Sequence, residues 1–174
     1  PRLVSFGDAT CPRAGCKGRV LRPVVQSHKC IHMTLRPILI HPDPRLKKVA
    51  TPVTEVTDEV RRLADDMLET MYDAPGIGLA APQVGVADRL LVMDCVKDPE
   101  ATPDPMVLIN PEIVETSEET GVYEEGCLSI PEHYADVERP VAVTVKWLGL
   151  DGQTHSEHFD GLWATCVQHE IDHL

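Results

Sequence analysis

The chain ends on the stretch QHEIDHL, residues 168–174, and this ending constrains the fold more than any other part of the sequence. On a helix, His169 and His173 lie on one face, a spacing typical of a metal site, with Glu170 beside the first histidine. Catalytic metal sites usually use three protein ligands, and only Leu174 follows the second histidine. A third ligand must come from upstream, so we expect the fold to bring a distant segment against this helix. The alternative is a surface helix that carries the two histidines by chance.

Two cysteines are candidates for the third ligand. Cys166 is nearer, but a metal shared by the histidines sits level with residue 171, roughly 7 Å further along a helix that rises about 1.5 Å per residue. A sulfur bonds its metal at about 2.3 Å, so this position favours a buried thiol instead. Cys127 is the better candidate, because it lies in EEGCLSIP, where Gly126 allows close backbone approach and Pro131 stiffens the exit.

The charge of the chain is unevenly distributed. The 174 residues have a formal net charge of −12, which argues against a nucleic-acid surface. Residues 1–32 are the exception, with six basic residues and one acidic residue. The first methionine, Met33, stands where the composition changes. We therefore predict a basic extension over 1–32, outside the catalytic fold, and a catalytic domain over 33–174.

Three interpretations of residues 1–32 stay open: sequence upstream of the natural start, an organelle-targeting peptide, or a small metal-binding knuckle. The knuckle's four possible ligands follow no recognised spacing: Cys11, Cys16, Cys30 and His32. The six cysteines of the chain are irregularly spaced, which favours free or metal-binding thiols in a reducing compartment. No apolar run approaches the roughly 20 residues that span a bilayer, which predicts a soluble protein, and with the reduced thiols we expect a cytoplasmic one.

Helices are predicted at both ends of the remaining chain, with strands between them. An amphipathic helix follows Thr57, its N-cap, and a second helix starts near Gly161 with Asp160 as its cap. The turn at Asp151–Gly152 predicts a hairpin. Strands are predicted over RLLVMDC, VLIN and VAVTVKW, the last with Val141, Val143, Val145 and Trp147 on one face. The buried stripe of the first helix comprises Val60, Leu63, Ala64, Met67, Leu68 and Met71. The order predicts an α+β fold, with antiparallel or mixed sheets around a central metal-binding helix.

Three short motifs occur in a fixed order: GIGLAAPQ (residues 76–83), EGCLS (125–129) and HEIDH (169–173). With PDPRL near the start of the domain, they make the chain resemble the peptide deformylases from about Met33 to Leu174. The resemblance implies that Cys127, His169 and His173 bind one divalent ion, with Glu170 as general base and then acid towards its water ligand. It implies that the Gln83 amide and the Leu128 backbone N–H stabilise the oxyanion.

The resemblance also implies the reaction, which is removal of formate from the N-terminal formyl-methionine of new polypeptides. It favours Fe²⁺ as the metal, with Zn²⁺, Ni²⁺ or Co²⁺ as substitutes; the ligand set alone suits zinc or ferrous iron equally. The implied partners are nascent formylmethionyl peptides and, transiently, the ribosome, without recognition of nucleic acid or membrane. The implied substrate-contacting residues are Gly76, Ile77, Gly78, Tyr123, Glu125, Gly126, Leu162, Thr165 and Cys166.

Several alternatives stay open. Taken alone, Gly76 and Gly78 are turn glycines, Gln83 is a solvated side chain, and Glu125 orients local backbone. The rival enzyme is another metallo-amidase or an aminopeptidase-like hydrolase. The rival without turnover is a degenerate homologue that only binds metal or a partner.

Two features depart from the family pattern. Many family members carry an arginine after the second motif, able to contact the substrate backbone, where this chain has Tyr134, and Arg139 lies further along. Family chains also usually continue the last helix beyond the second histidine, whereas here His173 lies in its final turn, so the catalytic domain reads as truncated there. Because the last carbonyls of a helix lack partners, we predict weaker metal retention than in a longer chain.

Overall fold

The computed structural model describes residues 34–96, 98 and 100–174. The interpretations of residues 1–32, and the boundary at Met33, lie outside the described residues. Within them lie two α-helices, α1 (Asp58–Asp73) and α2 (Gly161–Asp172), and two short 3₁₀ helices, Pro44–Lys47 and Ala81–Val84. The strands are β1 (Gly78–Ala80), β2 (Leu90–Met93), β3 (Met106–Thr116), β4 (Thr120–Cys127), β5 (Ile130–Pro140), β6 (Ala142–Leu148) and β7 (Thr154–Asp160).

The strands form two antiparallel sheets. Five of them make one sheet in the order β1-β2-β3-β6-β7, while β4 and β5 pair separately as a two-stranded ribbon. Cys127 ends β4 and Ile130 begins β5, so the predicted cysteine loop is a tight connection between paired strands. The α+β class with antiparallel sheets is confirmed.

Helix α1 packs on one face of the five-stranded sheet. The predicted N-cap is correct, since the Thr57 side chain accepts a hydrogen bond from the Val60 N–H at 3.4 Å. The predicted stripe is buried except for Leu68, which is partly buried. Met67 and Met71 are fully buried. These side chains share an apolar cluster with residues of β1, β2 and β3: Leu79, Leu90, Val92 and Ile109.

Helix α2 packs on the opposite face of the same sheet. Strand β2 is buried on both faces, because Leu90 and Val92 point towards α1 while Leu91 and Met93 join the cluster around α2. This explains why β2 reads as a continuous apolar run. Leu174, which follows α2, is packed against the same domain. Its side chain is buried, and its carbonyl accepts a hydrogen bond from the Ala50 N–H at 2.9 Å.

The predictions for β6, its hairpin and the start of α2 have different outcomes. Val143, Val145 and Trp147 are buried on one face of β6, as predicted, while Val141 precedes the strand and is partly buried. The hairpin turn is as predicted, with Gly152 at φ 77°. Asp160 occupies the N-cap position of α2, but its side chain makes no capping hydrogen bond.

No helix in the part of the chain that the structure describes has the length and apolar character that spanning a bilayer requires.

Candidate metal centre and active site

Three side chains from two distant segments meet where the end of β4 faces α2. One sulfur or nitrogen atom each from Cys127, His169 and His173 lies within 4.8 Å of the other two. The Cys127 Sγ is 3.3 Å from the His173 Nε2, and the two imidazole rings are 5.2 Å apart. Ligand bonds of about 2.0–2.3 Å in tetrahedral geometry separate the donor atoms by roughly 3.5 Å, so these donors converge closely enough for one ion.

A chain of charged groups fixes the first histidine. The His169 Nδ1 lies 2.8 Å from the Glu125 Oε2, and a carboxylate can only accept, so Nδ1 carries the proton and Nε2 is left for a metal. Glu125 is held in turn by Arg139, at 2.6 Å and 3.0 Å. Arg139 also pairs with Asp172 at 2.9 Å. Burial raises the pKa of Glu125, but the hydrogen bonds from Arg139 and His169 outweigh it and hold that pKa below its usual value.

The ionisation of the other two ligands also bears on metal binding. Burial, with the nearby His169, lowers the pKa of His173 to about 4, so this imidazole is neutral at pH 7, as a ligand must be. Burial raises the pKa of the Cys127 thiol, and the Glu170 carboxylate adds to the effect. A bound cation would stabilise the thiolate form of Cys127 in this buried environment, because a thiol that coordinates a metal is deprotonated. The donor set therefore fits a divalent ion such as Zn²⁺ or Fe²⁺.

Glu170 is a buried carboxyl group beside these ligands. It is 5% exposed, and its Oε2 has no hydrogen-bond partner among the residues that the structure describes. Burial raises the pKa of Glu170 to about 8, with smaller contributions from negative charge on Cys95, Asp172 and Glu125. Gly78 makes room for it, because a Cβ there would lie 2.5 Å from the Glu170 Oε1. The backbone of β1 thus packs directly against the carboxyl group.

The side chain of Gln83 is buried and held in one orientation. Its Oε1 accepts from the Ala80 N–H at 2.8 Å, which turns the NH₂ group towards the ligands. There the Nε2 lies 3.2 Å from the Ser129 Oγ and 3.5 Å from the Cys127 Sγ. The solvated alternative for Gln83 is wrong, since the side chain is 1% exposed.

A cavity of about 500 Å³ opens beside this centre. Twelve of the residues predicted as ligands, catalytic groups or substrate contacts line it: Gly76, Ile77, Gly78, Glu125, Gly126, Cys127, Leu128, Leu162, Thr165, Cys166, His169 and Glu170. Cys166 lies outside the ligand cluster, with its Sγ 3.5 Å from the Ile77 carbonyl, as expected of a buried thiol.

Two predicted substrate contacts are placed differently. Tyr123 does not line the cavity; its ring lies against Gly121, where an added Cβ would be 3.1 Å away. The ring packs towards the start of β4, whereas the cavity is lined by the later residues of this strand, from Glu124 to Cys127. Glu125 reaches the cavity wall, but both its oxygens already bind Arg139 and His169. Glu125 therefore orients the His169 side chain. Its contacts do not show it orienting local backbone.

Sequence reasoning missed the outer wall of the cavity and the partner of Glu125. The outer wall comes from α1's end and from the β4–β5 ribbon: Ala74, Pro75, Glu124, Ile130, Pro131, Glu132, His133 and Tyr134. The pairing of β4 with β5 places Arg139 opposite Gly121, on the same side of the ribbon as Glu125. A hairpin reading of EEGCLSIPEHYADVERP as two alternating strands could have found both.

The sequence model of the polypeptide deformylase family matches residues 35–174. The chain belongs to the peptide deformylase family. It is 59% identical over 142 residues to the peptide deformylase of Rhizobium meliloti strain 1021, covering 82% of this chain and 81% of that protein. It is 60% identical over 143 residues to that of Rhodopseudomonas palustris strain BisB5, covering 82% of each.

Solved peptide deformylases share the fold. The enzyme from Legionella pneumophila superposes with a TM-score of 0.75 at 47% identity, covering 80% of each chain. The enzyme from Ehrlichia chaffeensis in complex with actinonin gives a TM-score of 0.78 at 41% identity, covering 82% of this chain and 84% of that one. As a member of this family the chain is a hydrolase of protein biosynthesis, and the Cys127, His169 and His173 cluster is where a deformylase metal fits.

Proposed function

We propose that this deformylase removes the formyl group from the N-terminal formyl-methionine of newly made polypeptides, using a divalent metal held by Cys127, His169 and His173. The observation that carries the proposal is the convergence of these three donors beside Glu170, at a cavity that opens to solvent. Such an ion supplies positive charge, which makes a water molecule acidic enough to attack an amide near neutral pH. Fe²⁺ is proposed as the native metal, with Zn²⁺, Ni²⁺ and Co²⁺ as substitutes.

Glu170 acts as the general base and then as the general acid. A base works best when its pKa lies near the working pH, and burial raises the pKa of this carboxyl group to about 8. It takes the proton of the attacking water and returns it to the amine as the C–N bond breaks, which releases formate. The Oε2 without a partner among the described residues supports this role, since that atom is free to exchange a proton.

Two donors are proposed for the oxyanion that develops on the formyl oxygen. The Gln83 NH₂ group is fixed by the bond to Ala80 and points at the ligand cluster. The Leu128 N–H follows Cys127 directly in the chain and lies in the same cavity wall. Preorganised donors of this kind favour the tetrahedral intermediate over the planar amide.

The methionine side chain of the substrate is proposed to occupy the inner cavity. This part is walled by residues of α2 and of the segment before β1: Ile77, Leu162, Thr165 and Cys166. A volume of about 500 Å³ is of the size that small peptide ligands fill. Gly76 and Gly78 leave the backbone close to the substrate path. Location in the cytoplasm, transient contact with the ribosome, and the division into residues 1–32 and 33–174 stay predictions from the sequence.

The test is formate release from formyl-Met-Ala-Ser by the full chain, purified without oxygen and loaded with Fe²⁺. We expect turnover in the wild type and none in Cys127→Ala. The same assay with unformylated Met-Ala-Ser separates the rival classes, because an aminopeptidase releases methionine from it. Absence of formate release from a folded, metal-loaded chain contradicts the proposal and favours the homologue without turnover.

A further inference from the structure

We propose that Ser129 is a positioning residue for the oxyanion donor Gln83. Its side-chain hydroxyl accepts one hydrogen of the Gln83 amide group, which leaves the other hydrogen directed at the formyl oxygen during the reaction. The inference rests on the proposed function, because it assumes that Gln83 stabilises the oxyanion. It adds a residue outside both the ligand cluster and the cavity wall, which acts through the orientation of one amide group.

The Gln83 amide group has one acceptor and two donor hydrogens, and each of the three faces a partner. Its Oε1 accepts from the Ala80 N–H at 2.8 Å, which identifies the oxygen end of the amide, because a nitrogen there would set two donors against each other. The Nε2 lies 3.2 Å from the Ser129 Oγ and 3.5 Å from the Cys127 Sγ. One hydrogen therefore points at the hydroxyl and the other at the ligand cluster.

The two partners of the Gln83 Nε2 differ in strength. A hydroxyl oxygen is a good acceptor, whereas a cysteine sulfur is a weaker one. The hydrogen that faces the Cys127 sulfur is therefore the one that an oxyanion beside the ligands can take over at small cost. The hydrogen on the Ser129 Oγ stays in place and holds the amide plane. Donors that need no rearrangement during the reaction give the strongest stabilisation of an oxyanion.

Ser129 is itself held in place by backbone hydrogen bonds. The residue is 1% exposed, so bulk water does not compete for its hydroxyl. Its carbonyl accepts from the His41 N–H at 2.8 Å, and the Gln83 carbonyl accepts from the Leu39 N–H at 2.7 Å. One short segment, 39–41, thus holds the backbone of two residues that lie 46 positions apart in the chain. This arrangement fixes the hydroxyl relative to the amide.

A structural role for the Ser129 hydroxyl predicts a different outcome from a positioning role. A hydroxyl that only pairs with a buried donor contributes to stability, and its loss leaves kcat unchanged in the molecules that stay folded. A hydroxyl that directs Gln83 acts on the transition state, so its loss lowers kcat and leaves KM unchanged. Ser129 does not line the cavity, so its loss removes no direct contact with the substrate.

The first test is a double-mutant cycle on formate release from formyl-Met-Ala-Ser by the Fe²⁺-loaded full chain. Loss of a whole oxyanion donor lowers kcat about 10²–10³-fold, which we expect for Gln83→Ala. Ser129→Ala misdirects the donor without removing it, so we expect kcat to fall about ten-fold with KM within about two-fold. In the Gln83→Ala background, the same change should lower kcat less than about two-fold.

Two further variants separate the hydroxyl from the shape of the side chain, and they keep the inference testable if Ser129→Ala does not fold. Threonine and valine have the same shape and differ in the hydroxyl, so both crowd this buried position equally. We expect the kcat of Ser129→Thr to exceed that of Ser129→Val about five-fold or more. Ser117→Ala is the matched control, because it removes a hydroxyl that donates to the Glu119 carbonyl at 2.8 Å, and it should keep kcat and KM.

A measurement without turnover follows the amide group itself. NMR of the Zn²⁺-loaded protein measures the exchange of the Gln83 side-chain NH₂ with water, and the resonances are assigned by their absence in Gln83→Ala. We expect Ser129→Ala to speed this exchange about ten-fold or more, because the acceptor that holds the group is lost. The NH₂ of Gln168 donates to the Pro140 and Ala164 carbonyls and should keep its rate.

The outcomes separate this inference from the proposed function. An unchanged kcat or an unchanged Gln83 exchange rate in Ser129→Ala overturns the inference. Equal kcat for the threonine and valine variants overturns it, as does an undiminished effect of Ser129→Ala in the Gln83→Ala background. Formate release by the wild type upholds the deformylase function in each of these cases. A folded, metal-loaded wild type that releases no formate overturns both.

Discussion

Helices α1 and α2 pack on opposite faces of one sheet, and they differ in what they bury. Helix α1 buries a stripe of apolar side chains, and its buried carboxylate, Asp66, is paired with Arg36 at 2.9 Å. The Oε2 of Glu69 on α1 also has no partner among the described residues, but that residue is only partly buried. Helix α2 buries Glu170 without a partner for one oxygen among the described residues, and directs two histidines at Cys127. A buried polar group without a partner destabilises a fold. The difference between the helices is that the buried carboxyl group of α2 stands beside three converging donors, which indicates that α2 gives up stability for chemistry.

The change expected to have the largest effect is Glu170→Gln on α2. Loss of the proton carrier should lower kcat for formate release by about 10²–10⁴-fold. The thermal unfolding midpoint should stay level or rise, because the amide removes a buried acid. In the metal-free wild type, the folded state holds this proton more tightly than the unfolded chain, so stability from Glu170 is fully present below pH 4.5 and is lost as pH rises from there to about 8. That loss should be absent in the variant.

The matched variant on α1 is Asp66→Asn, which removes a buried charge whose role is structural. It should lower stability because the ion pair with Arg36 is lost, although the asparagine Oδ1 can still accept from the Thr34 N–H, and it should leave kcat near the wild-type value below the unfolding transition. If Asp66→Asn lowered kcat as strongly as Glu170→Gln, the proposed division between the helices would be wrong.

The second largest effect is expected for Met67→Ala in the stripe of α1. This side chain is fully buried, and truncation of such a residue costs about 2–5 kcal/mol in the free energy of unfolding. Urea unfolding of the metal-free protein measures it. Truncation of Leu68, which is partly buried, should cost less. Equal costs for the two would contradict the assigned face of the helix.

A smaller effect, on metal affinity, is expected for Glu125→Ala. The change removes the acceptor that orients His169, and losses of this kind typically weaken metal binding about 10–100-fold. Competition with a chelator measures the affinity. Glu124→Ala is the control, because its side chain points from the other face of β4, away from His169. A metal affinity that falls equally in both variants would indicate general damage to the ribbon.

The smallest effect is expected at the helix starts. Thr57→Ala removes the capping bond of α1 and should lower the free energy of unfolding by about 0.5–2 kcal/mol. Asp160→Ala at the start of α2 should cost less, because Asp160 makes no capping bond there. Thermal unfolding of the two variants in parallel distinguishes them, and the reverse order would show that the caps are misassigned.

Local sequence patterns predicted the features that depend on neighbouring residues in the chain. The stripe around Met67, the cap at Thr57 and the alternation of Val143 and Val145 all follow from helix and strand periodicity, and the structure agrees. The pairing of the last helix with Cys127 was predicted because the ligand chemistry required a third donor. These predictions depend only on residues close in the chain, or on the number of protein ligands that a catalytic metal usually has.

The sequence alone did not predict the contacts that depend on tertiary packing. The salt bridge from Arg139 to Glu125 depends on the register of β4 with β5, and many acids in this chain could have been its partner. Tyr123 was assigned to the pocket by resemblance, but its ring packs at Gly121, further from the cavity along β4. Asp160 is of a residue type that commonly caps helices and stands at the N-cap of α2, yet its side chain makes no capping bond.

The central claim is that Cys127 joins the two histidines of α2 around one metal, and the most direct test is the absorption spectrum of the Co²⁺-loaded protein. A thiolate ligand gives a sulfur-to-cobalt charge-transfer band. We predict this band in the wild type and in Cys95→Ala, a control for a buried thiol outside the cluster. We predict its loss in Cys127→Ala. A band that persists in Cys127→Ala, or that disappears in Cys95→Ala, would contradict the assignment of Cys127.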